Sequence, residues 1–232
     1  MRLAKIRAIL GRKRRKFARD PHRFLRSVSG VIHVGANSGQ ERETYERLGF
    51  RVLWIEPIPA VFRELESNIA QFPRQRALQA LVTDRDNETY PFHIANNKGA
   101  SSSILELKDH KDIWPDVAYT DTISLSSITL PSLLQQEKID PVAYDALIMD
   151  TQGSELLVLK GAAPLLEHFN IVKTEVADFE SYAGCCLLAD VDHFMRSHGF
   201  KPCVRHVFAR HKSGGRYYDV TYRKKSRWNR DK

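Results

Sequence analysis

The sequence predicts an α/β fold on a largely parallel sheet, and three observations carry that prediction. Short apolar runs alternate with amphipathic segments of helical period from residue 31 onward. The chemistry-bearing residues cluster where those runs end, the rim at which open α/β sheets hold their ligands. The length of 232 residues, with 42% hydrophobic and 28% charged side chains, suits one domain with appendages.

Taken in order, "VIHV" is the first strand, and "HVGANSG" leaves it through a turn with Gly35, Asn37 and Gly39 spaced two apart. Glycine there permits positive φ and a close backbone approach, and a small polar turn before a helix is where nucleotide-like ligands dock. "QERETYERL" reads as a helix closed by Gly49. "FRVLWIE" is the second strand. "PIPAVFRELESNIAQF" is a helix with Pro59 in its first turn and a stripe of Phe62, Leu65 and Ile69. "RALQALV" is a third strand, and "TDRDNETYPFHIA" a turn with an antiparallel return. Residues 95–130 read as an irregular insertion, the place for a lid or binding loop. "AYDALIMD" is the fourth central strand, "SELLVLKGAAPLLEHF" a helix broken around Gly161 and Pro164, and "NIVKTEVAD" the fifth strand. "LADVDHFMRSHGF" is a helix stopped by Gly199. The last segment forms a strand pair joined at Gly214 and Gly215, an antiparallel C-terminal edge.

Charge divides the chain. Residues 1–30 carry eleven Lys/Arg against one acid, and residues 201–232 eleven against two, which leaves the middle with a net charge of −11. No window approaches the roughly 20 apolar residues of a membrane span, and "LAKIRAIL" lacks the features of a secretory signal. Three cysteines, two of them adjacent, match neither a disulfide framework nor a zinc spacing, so a reduced, cytoplasmic compartment is expected. Cys185 and Cys186 read as small packing residues in a loop. His33, His93, His168, His193, His198, His206 and His211 contain no metal-ligand spacing, and only His33 falls on the rim. No metal is expected.

Glu56 ends the second strand, 17 residues after Gly39, where a carboxylate can accept from both hydroxyls of a ribose. The turn is G-x-N-x-G, not the G-x-G-x-x-G that a dinucleotide pyrophosphate needs. S-adenosylmethionine has ribose and adenine but no phosphate, and this looser turn serves it. The bland alternatives are a tight connection for the turn and an exposed strand-end acid for Glu56.

An ordered series sharpens this: "HVGANSG", "IEPIPAVFRELESN", "LQALVTD", "NNKGASSSIL", "LIMDTQGSELLVLKGA", "IVKTEVADFESYAG" and "HGF". In that order the chain resembles the FkbM-type S-adenosylmethionine-dependent methyltransferases over roughly residues 30–200. The resemblance implies a class I methyltransferase (Rossmann-like) fold, mostly parallel with helices on both faces. It also implies methylation of a hydroxyl, often on a sugar or a secondary metabolite. By the same resemblance Gly35, Asn37 and Gly39 wrap the cofactor, Glu56 takes its ribose, and Leu81 and Val82 lie near the adenine. Ser102 and Ser103 cap the cofactor or line the substrate entry. Asp150 projects into the active site with Glu155 beyond it, and Glu175 sits across the cleft. Three places depart from the family pattern: His33 replaces an acid, Ile148 a lysine, and Leu130-Pro131 the usual Leu-Asp. His33 either stands in for that acid at the cofactor or leaves its role to another residue.

A sugar hydroxyl is a poor nucleophile and gains about 10²–10⁴-fold from a general base. Asp150 is the first candidate for that base and Glu175 the second; their alternatives are an N-cap for the helix at Ser154 and a structural hydrogen bond. The basic ends, "RLAKIRAILGRKRRKFARDPHRFLR" and "YRKKSRWNRDK", offer contact with an anionic membrane or another polyanion. The organisation expected is a basic helical extension over 1–29, a methyltransferase domain over 30–222 and a basic tail over 223–232. The rivals to a sugar O-methyltransferase are an RNA ribose methyltransferase and an inactive cofactor-binding scaffold. The first is favoured by the basic ends, the second by His33 and Ile148.

Overall fold

The structure is a computed structural model that describes residues 28–225. The basic extension before residue 28 and the tail from 226 lie outside the described residues. Strand β1 (Gly30–Val34) is buried along its whole length, as an unbroken apolar run in the centre of a parallel sheet should be. Helix α1 (Arg42–Leu48) ends at Gly49, whose φ of 79° closes the last turn. Strand β2 (Arg51–Ile55) follows, then α2 (Pro59–Ile69), which starts on its proline and buries Leu65 and Ile69, with Phe62 half-buried beside them.

The expected third strand is two strands. Strand β3 (Gln75–Leu78) joins the main sheet beside β2, and β4 (Leu81–Val82) leaves it to pair with another sheet. That second sheet corrects the expectation for residues 95–130. The return strand β5 (Thr89–Ala95) does run antiparallel, but its partner β6 (Tyr119–Ile128) is ten residues long. Only the stretch between them is loop, with one 3₁₀ turn at Asp109–Asp112. Helix α3 (Leu130–Gln136) begins at Thr129, whose hydroxyl accepts from the Ser132 N–H.

Strand β7 (Ala146–Met149) leads to α4 (Glu155–Gly161). The helix stops where expected for a steric reason: a Cβ on Gly161 would lie 2.1 Å from the Thr83 carbonyl oxygen. Strand β8 (Ile171–Ala177), α5 (Leu188–Ser197), β9 (Phe200–Arg210) and β10 (Arg216–Lys224) complete the chain. Strand β10 thus includes Arg223 and Lys224, two residues past the expected start of the tail.

The main sheet has the order β3-β2-β1-β7-β8-β10-β9. Its first five strands are parallel, and β10 runs antiparallel to both its neighbours. This is the class I methyltransferase fold. Alternation along the strands sends Ile32, Leu53, Leu147 and Val172 to one face, where Leu133, Val158, Val191 and Met195 of α3, α4 and α5 cover them. Val31, Val52, Trp54 and Ile148 face the other way, beneath Tyr45, Leu65 and Ile69 of α1 and α2. A side chain such as Leu65, fully buried, contributes about 1.5–3 kcal/mol. The strand order reverses between the parallel neighbours β1 and β7, and that switch point opens the site at their carboxyl ends.

Candidate active site

The turn after β1 is held from two sides. Gly35, at φ 76°, has no room for a side chain, since a Cβ would lie 1.9 Å from the Asp150 carbonyl oxygen. The N–H groups of Gly35 and Ala36 both donate to the Ile55 carbonyl, which docks the turn on β2. Asn37 sits at φ 46° and donates its N–H to Glu56 Oε2 at 2.8 Å, while its side-chain amide donates to the Lys98 carbonyl at 3.0 Å. Glu56 Oε1 accepts from the Ile58 N–H at 2.9 Å. Each carboxyl oxygen therefore has one fixed donor and a spare lone pair. Glu56 is not an exposed strand-end acid: it is 4% exposed, and burial lifts its pKa to about 7 against the pull of those two N–H groups.

His33 occupies the rim as a buried, neutral ring. It stacks on Trp54 at 5.0 Å, and its Nδ1 lies 3.4 Å from the Tyr45 hydroxyl. Burial drives its pKa down to about 4, so at neutral pH it brings no positive charge to the cleft. Gly39 does not line the cleft; its missing side chain makes room for Leu65 of α2. Leu81, Val82 and Ser102 do line it. Ser103 is fully buried behind it, with its hydroxyl on the Gln152 carbonyl at 2.8 Å.

Asp150 follows β7, and its carboxyl is no helix cap. Its partner is the side-chain amide of Gln152, whose own carbonyl accepts from the Tyr182 hydroxyl at 2.6 Å. The N-cap position is Ser154, which makes no side-chain cap bond, and Glu155 instead ties the preceding turn to the helix by accepting from the N–H groups of Thr151 and Gly153 and from the Thr151 hydroxyl. Burial pushes Asp150 upward, and the charge of Glu155 adds to it. Register places Glu175 beside Asp150 on β8 and opposite Asp219 on β10. The Glu175 carboxyl, unlike its backbone, has no hydrogen-bond partner among the described residues, so it is not a structural acceptor. Burial, then Asp150 and Asp219, raise its pKa strongly. For Lys173 burial alone would lower the pKa, but Asp219, bound at 2.6 Å, holds it above the usual lysine range.

Two spaces meet at Asp150. The larger is a cleft of about 300 Å³ that reaches from the turn at 33–37 past Glu56 to Asp150, with Ile58, Leu81, Val82 and Phe92 as an apolar wall. The smaller, about 20 Å³ and roomy enough for about one water, lies on the other side of Asp150 and Gln152, between Glu175, Tyr182 and Tyr217. Behind it, buried His110 bridges the Ser101 hydroxyl at 3.1 Å and the Tyr217 hydroxyl at 2.8 Å. Sequence reading missed Ile58, Phe92, Gln152, Tyr182, His110 and Tyr217. Of these, Gln152 stood in the legible "DTQGSE" motif and Ile58 in "IEPIP"; the others are brought in by the fold.

The family model described as the methyltransferase FkbM domain matches residues 33–202. The chain belongs to the FkbM methyltransferase family. It is an S-adenosylmethionine-dependent methyltransferase. No curated protein matches the sequence. Among solved structures it is similar to the magnesium protoporphyrin IX methyltransferase of Synechocystis with bound cofactor, at 9% identity and a TM-score of 0.48 over 84% of this chain and 69% of that one. It is also similar to the precorrin-6y C5,15-methyltransferase of Geobacter metallireducens, at 11% identity and a TM-score of 0.47 over 85% and 80%. A third is the ribosomal protein L11 methylase of Lactobacillus delbrueckii, at 13% identity and a TM-score of 0.44 over 84% and 70%.

The cleft fits this cofactor. Its volume falls within the roughly 300–1,000 Å³ of small-molecule sites. Glu41, Glu56 and Asp150 face it from three elements, a lining suited to a cationic ligand. The spare lone pairs of Glu56 suit vicinal hydroxyls, and the apolar wall suits a flat base. Among the described residues, no helix is long and apolar enough to cross a membrane.

Proposed function

We propose that this methyltransferase transfers its methyl group to a hydroxyl of a sugar, in a glycan or a secondary metabolite. The observation that carries the reading is the position of Asp150, a carboxylate shared between the cofactor-sized cleft and the smaller cavity. The cofactor, when bound, supplies a methyl group already activated on a sulfonium. The chain's task is then to hold the acceptor oxygen in line at about 3–3.5 Å and remove its proton. Asp150 Oδ2, the oxygen that Gln152 leaves free, takes that proton. Its raised pKa makes it a stronger base near neutral pH than an exposed aspartate. Gln152 fixes the carboxyl plane, and Tyr182 fixes which way the Gln152 amide points.

In this reading Gly35, Asn37 and Glu56 hold the ribose and methionine parts of the cofactor, with Leu81, Val82 and Ser102 around the base. Gly39 and Ser103 shape the turn and the loop that do so. His33 supports the turn as a neutral packed ring, so the place of the family acid is left without a charge. The domain spans residues 30–222 with basic extensions at both ends, works in the cytoplasm, and meets anionic membrane through those extensions. Deleting residues 1–26 is expected to abolish association with anionic liposomes at unchanged cofactor affinity. The reading is tested by Asp150→Asn in a screen of sugar acceptors. Turnover should fall by two to four orders of magnitude while S-adenosylhomocysteine still binds. A scaffold would show no turnover in either protein, and a ribose methyltransferase would be active on RNA and not on sugars.

A further inference from the structure

His110 is buried, titratable and outside the chemistry proposed for Asp150. It lies on the 3₁₀ turn at Asp109–Asp112, with the rings of Trp114 at 4.5 Å, Tyr182 at 5.0 Å and Tyr217 at 6.0 Å around it. Burial drives its pKa down to about 4, so near neutral pH one ring nitrogen is a donor and the other an acceptor. The neighbours decide which is which. The Ser101 hydroxyl accepts from the Asn97 amide at 2.9 Å. Its own proton therefore goes to His110 Nε2 at 3.1 Å, the one acceptor it has among the described residues. His110 Nδ1 then carries the hydrogen and donates to the Tyr217 hydroxyl at 2.8 Å.

What this histidine holds is one wall of the cleft, seen from behind. Gly99, Ala100 and Ser102 line the cleft, while Ser101 between them is turned away and buried. The near side of this loop sits tightly on the glycine turn and on Ile58. The Asn37 amide donates to the Lys98 carbonyl, and a Cβ on Gly99 would lie 2.9 Å from Ile58 Cδ1. The loop's own bonds mostly close on itself: Ser101 N–H on Asn97, Ser102 N–H on Gly99, and the Ser102 hydroxyl on Ala95 N–H. At Ser101 the contact leaves the loop, and through His110 it reaches Tyr217 on β10. The turn that carries His110 is pinned to the same β9–β10 hairpin at Asp112, which pairs with His211 and Lys212, each at 2.9 Å. We propose that His110 is a positioning residue for methyl transfer, which braces the loop at 97–102 against the cofactor by accepting from Ser101 and taking its support from Tyr217. The proposal rests on the reading that this cleft holds the cofactor. An apolar ring in its place would leave two buried hydroxyls without their partner.

The test is calorimetric titration of the full chain with S-adenosylhomocysteine, beside urea midpoints, on wild type, Ser101→Ala, His110→Gln and His110→Asn. A glutamine amide reaches the place of Nε2 and an asparagine amide only that of Nδ1, so the two variants separate the Ser101 bond from the Tyr217 bond. The expected result is affinity within about threefold of wild type in His110→Gln and at least about fivefold weaker in His110→Asn, the effect of one net hydrogen bond. Ser101→Ala should weaken binding to the same degree, and adding His110→Asn to it should change the affinity no further. A histidine that only fills the core would give affinities that follow the urea midpoints whichever nitrogen is replaced, and that result overturns the proposal. Wild-type affinity in His110→Asn and Ser101→Ala also overturns it. If the histidine variants do not fold, Ser101→Ala decides. Glu56→Ala, titrated alongside, keeps the two readings apart. Affinity indifferent to Glu56 strikes the cofactor reading of the cleft, whereas a loss in Glu56→Ala with none in His110→Asn strikes only the role of His110.

Discussion

The two halves of the site treat a carboxylate in opposite ways. On the β1–β2 side, Glu56 is buried with a backbone N–H on each oxygen, both supplied from within three residues of the turns that flank it. On the β7–β8–β10 side, the Glu175 carboxyl stands in a row of acids with no side-chain hydrogen bond among the described residues. The first is a finished binding element, preorganised by local backbone. The second is a group left with its capacity unspent, as a residue that meets a variable ligand would be. Preorganisation of that kind lowers the ordering cost on binding, and under the proposed function the constant ligand belongs to one half and the specific one to the other.

The largest effect that can break this contrast comes from Asp150, which belongs to both halves. Asp150→Asn should cut methyl transfer about 10²–10⁴-fold and leave S-adenosylhomocysteine affinity within a few-fold in a calorimetric titration. A comparable loss in both quantities would move Asp150 into the cofactor half. Next, Glu56→Ala removes a charged acceptor that nothing can replace, worth about 1.5–3 kcal/mol, or roughly 10–150-fold in cofactor affinity. Unchanged affinity would mean that the Glu56 carboxyl is only a brace for the turn. Tyr182→Phe removes the hydroxyl that sets the Gln152 amide. It should lower kcat by roughly fivefold, through the loss of a net hydrogen bond of about 1 kcal/mol, with cofactor affinity untouched. Lys173 lowers the pKa of Asp150, so Lys173→Met should move the acid limb of the rate profile to higher pH. A limb that stays in place would take Asp150 out of the role of titrating base.

A separate effect, on stability and not on the site, follows from the buried titrating groups. His33 binds its proton only near pH 4 in the fold, against about 6.5 for a free histidine. The unfolded chain therefore takes up more protons between those values, and this contribution to stability is lost as pH falls from 6.5 towards 4, by up to about 3 kcal/mol. Glu56, raised to about 7, acts with the opposite sign: it stabilises at low pH, and that contribution is lost as pH rises from about 4.5 through 7. Urea midpoints of wild type and His33→Asn should converge as the pH is lowered over the histidine window. Parallel curves would show that His33 is not held neutral.

The same contrast explains what could be read from the chain. The cofactor half is local in sequence: "HVGANSG" and Glu56 lie within one β-α-β unit, where spacing alone places a turn against a strand end. The order of elements along the parallel core was equally open to reading, because each run is apolar and each helix carries a stripe. The acceptor half is not local. Tyr217 meets His110 across 107 residues and Tyr182 meets Gln152 across 30, and no spacing rule joins them. Strand β6 was hidden by composition, since Thr120, Thr122, Ser124 and Ser126 resemble a loop. The alternation of Ile123 and Leu125 was the available signal. The break between β3 and β4 falls at Gln79 and Ala80, with neither glycine nor proline to mark it.

The most direct measurement is a calorimetric titration of the full chain with S-adenosylhomocysteine, run on wild type, Glu56→Ala and Asp150→Asn under one buffer. One-site binding that is weakened at least tenfold by Glu56→Ala and within about threefold of wild type in Asp150→Asn would establish the division of the site. Equal weakening in the two variants, or an affinity indifferent to Glu56, would contradict it.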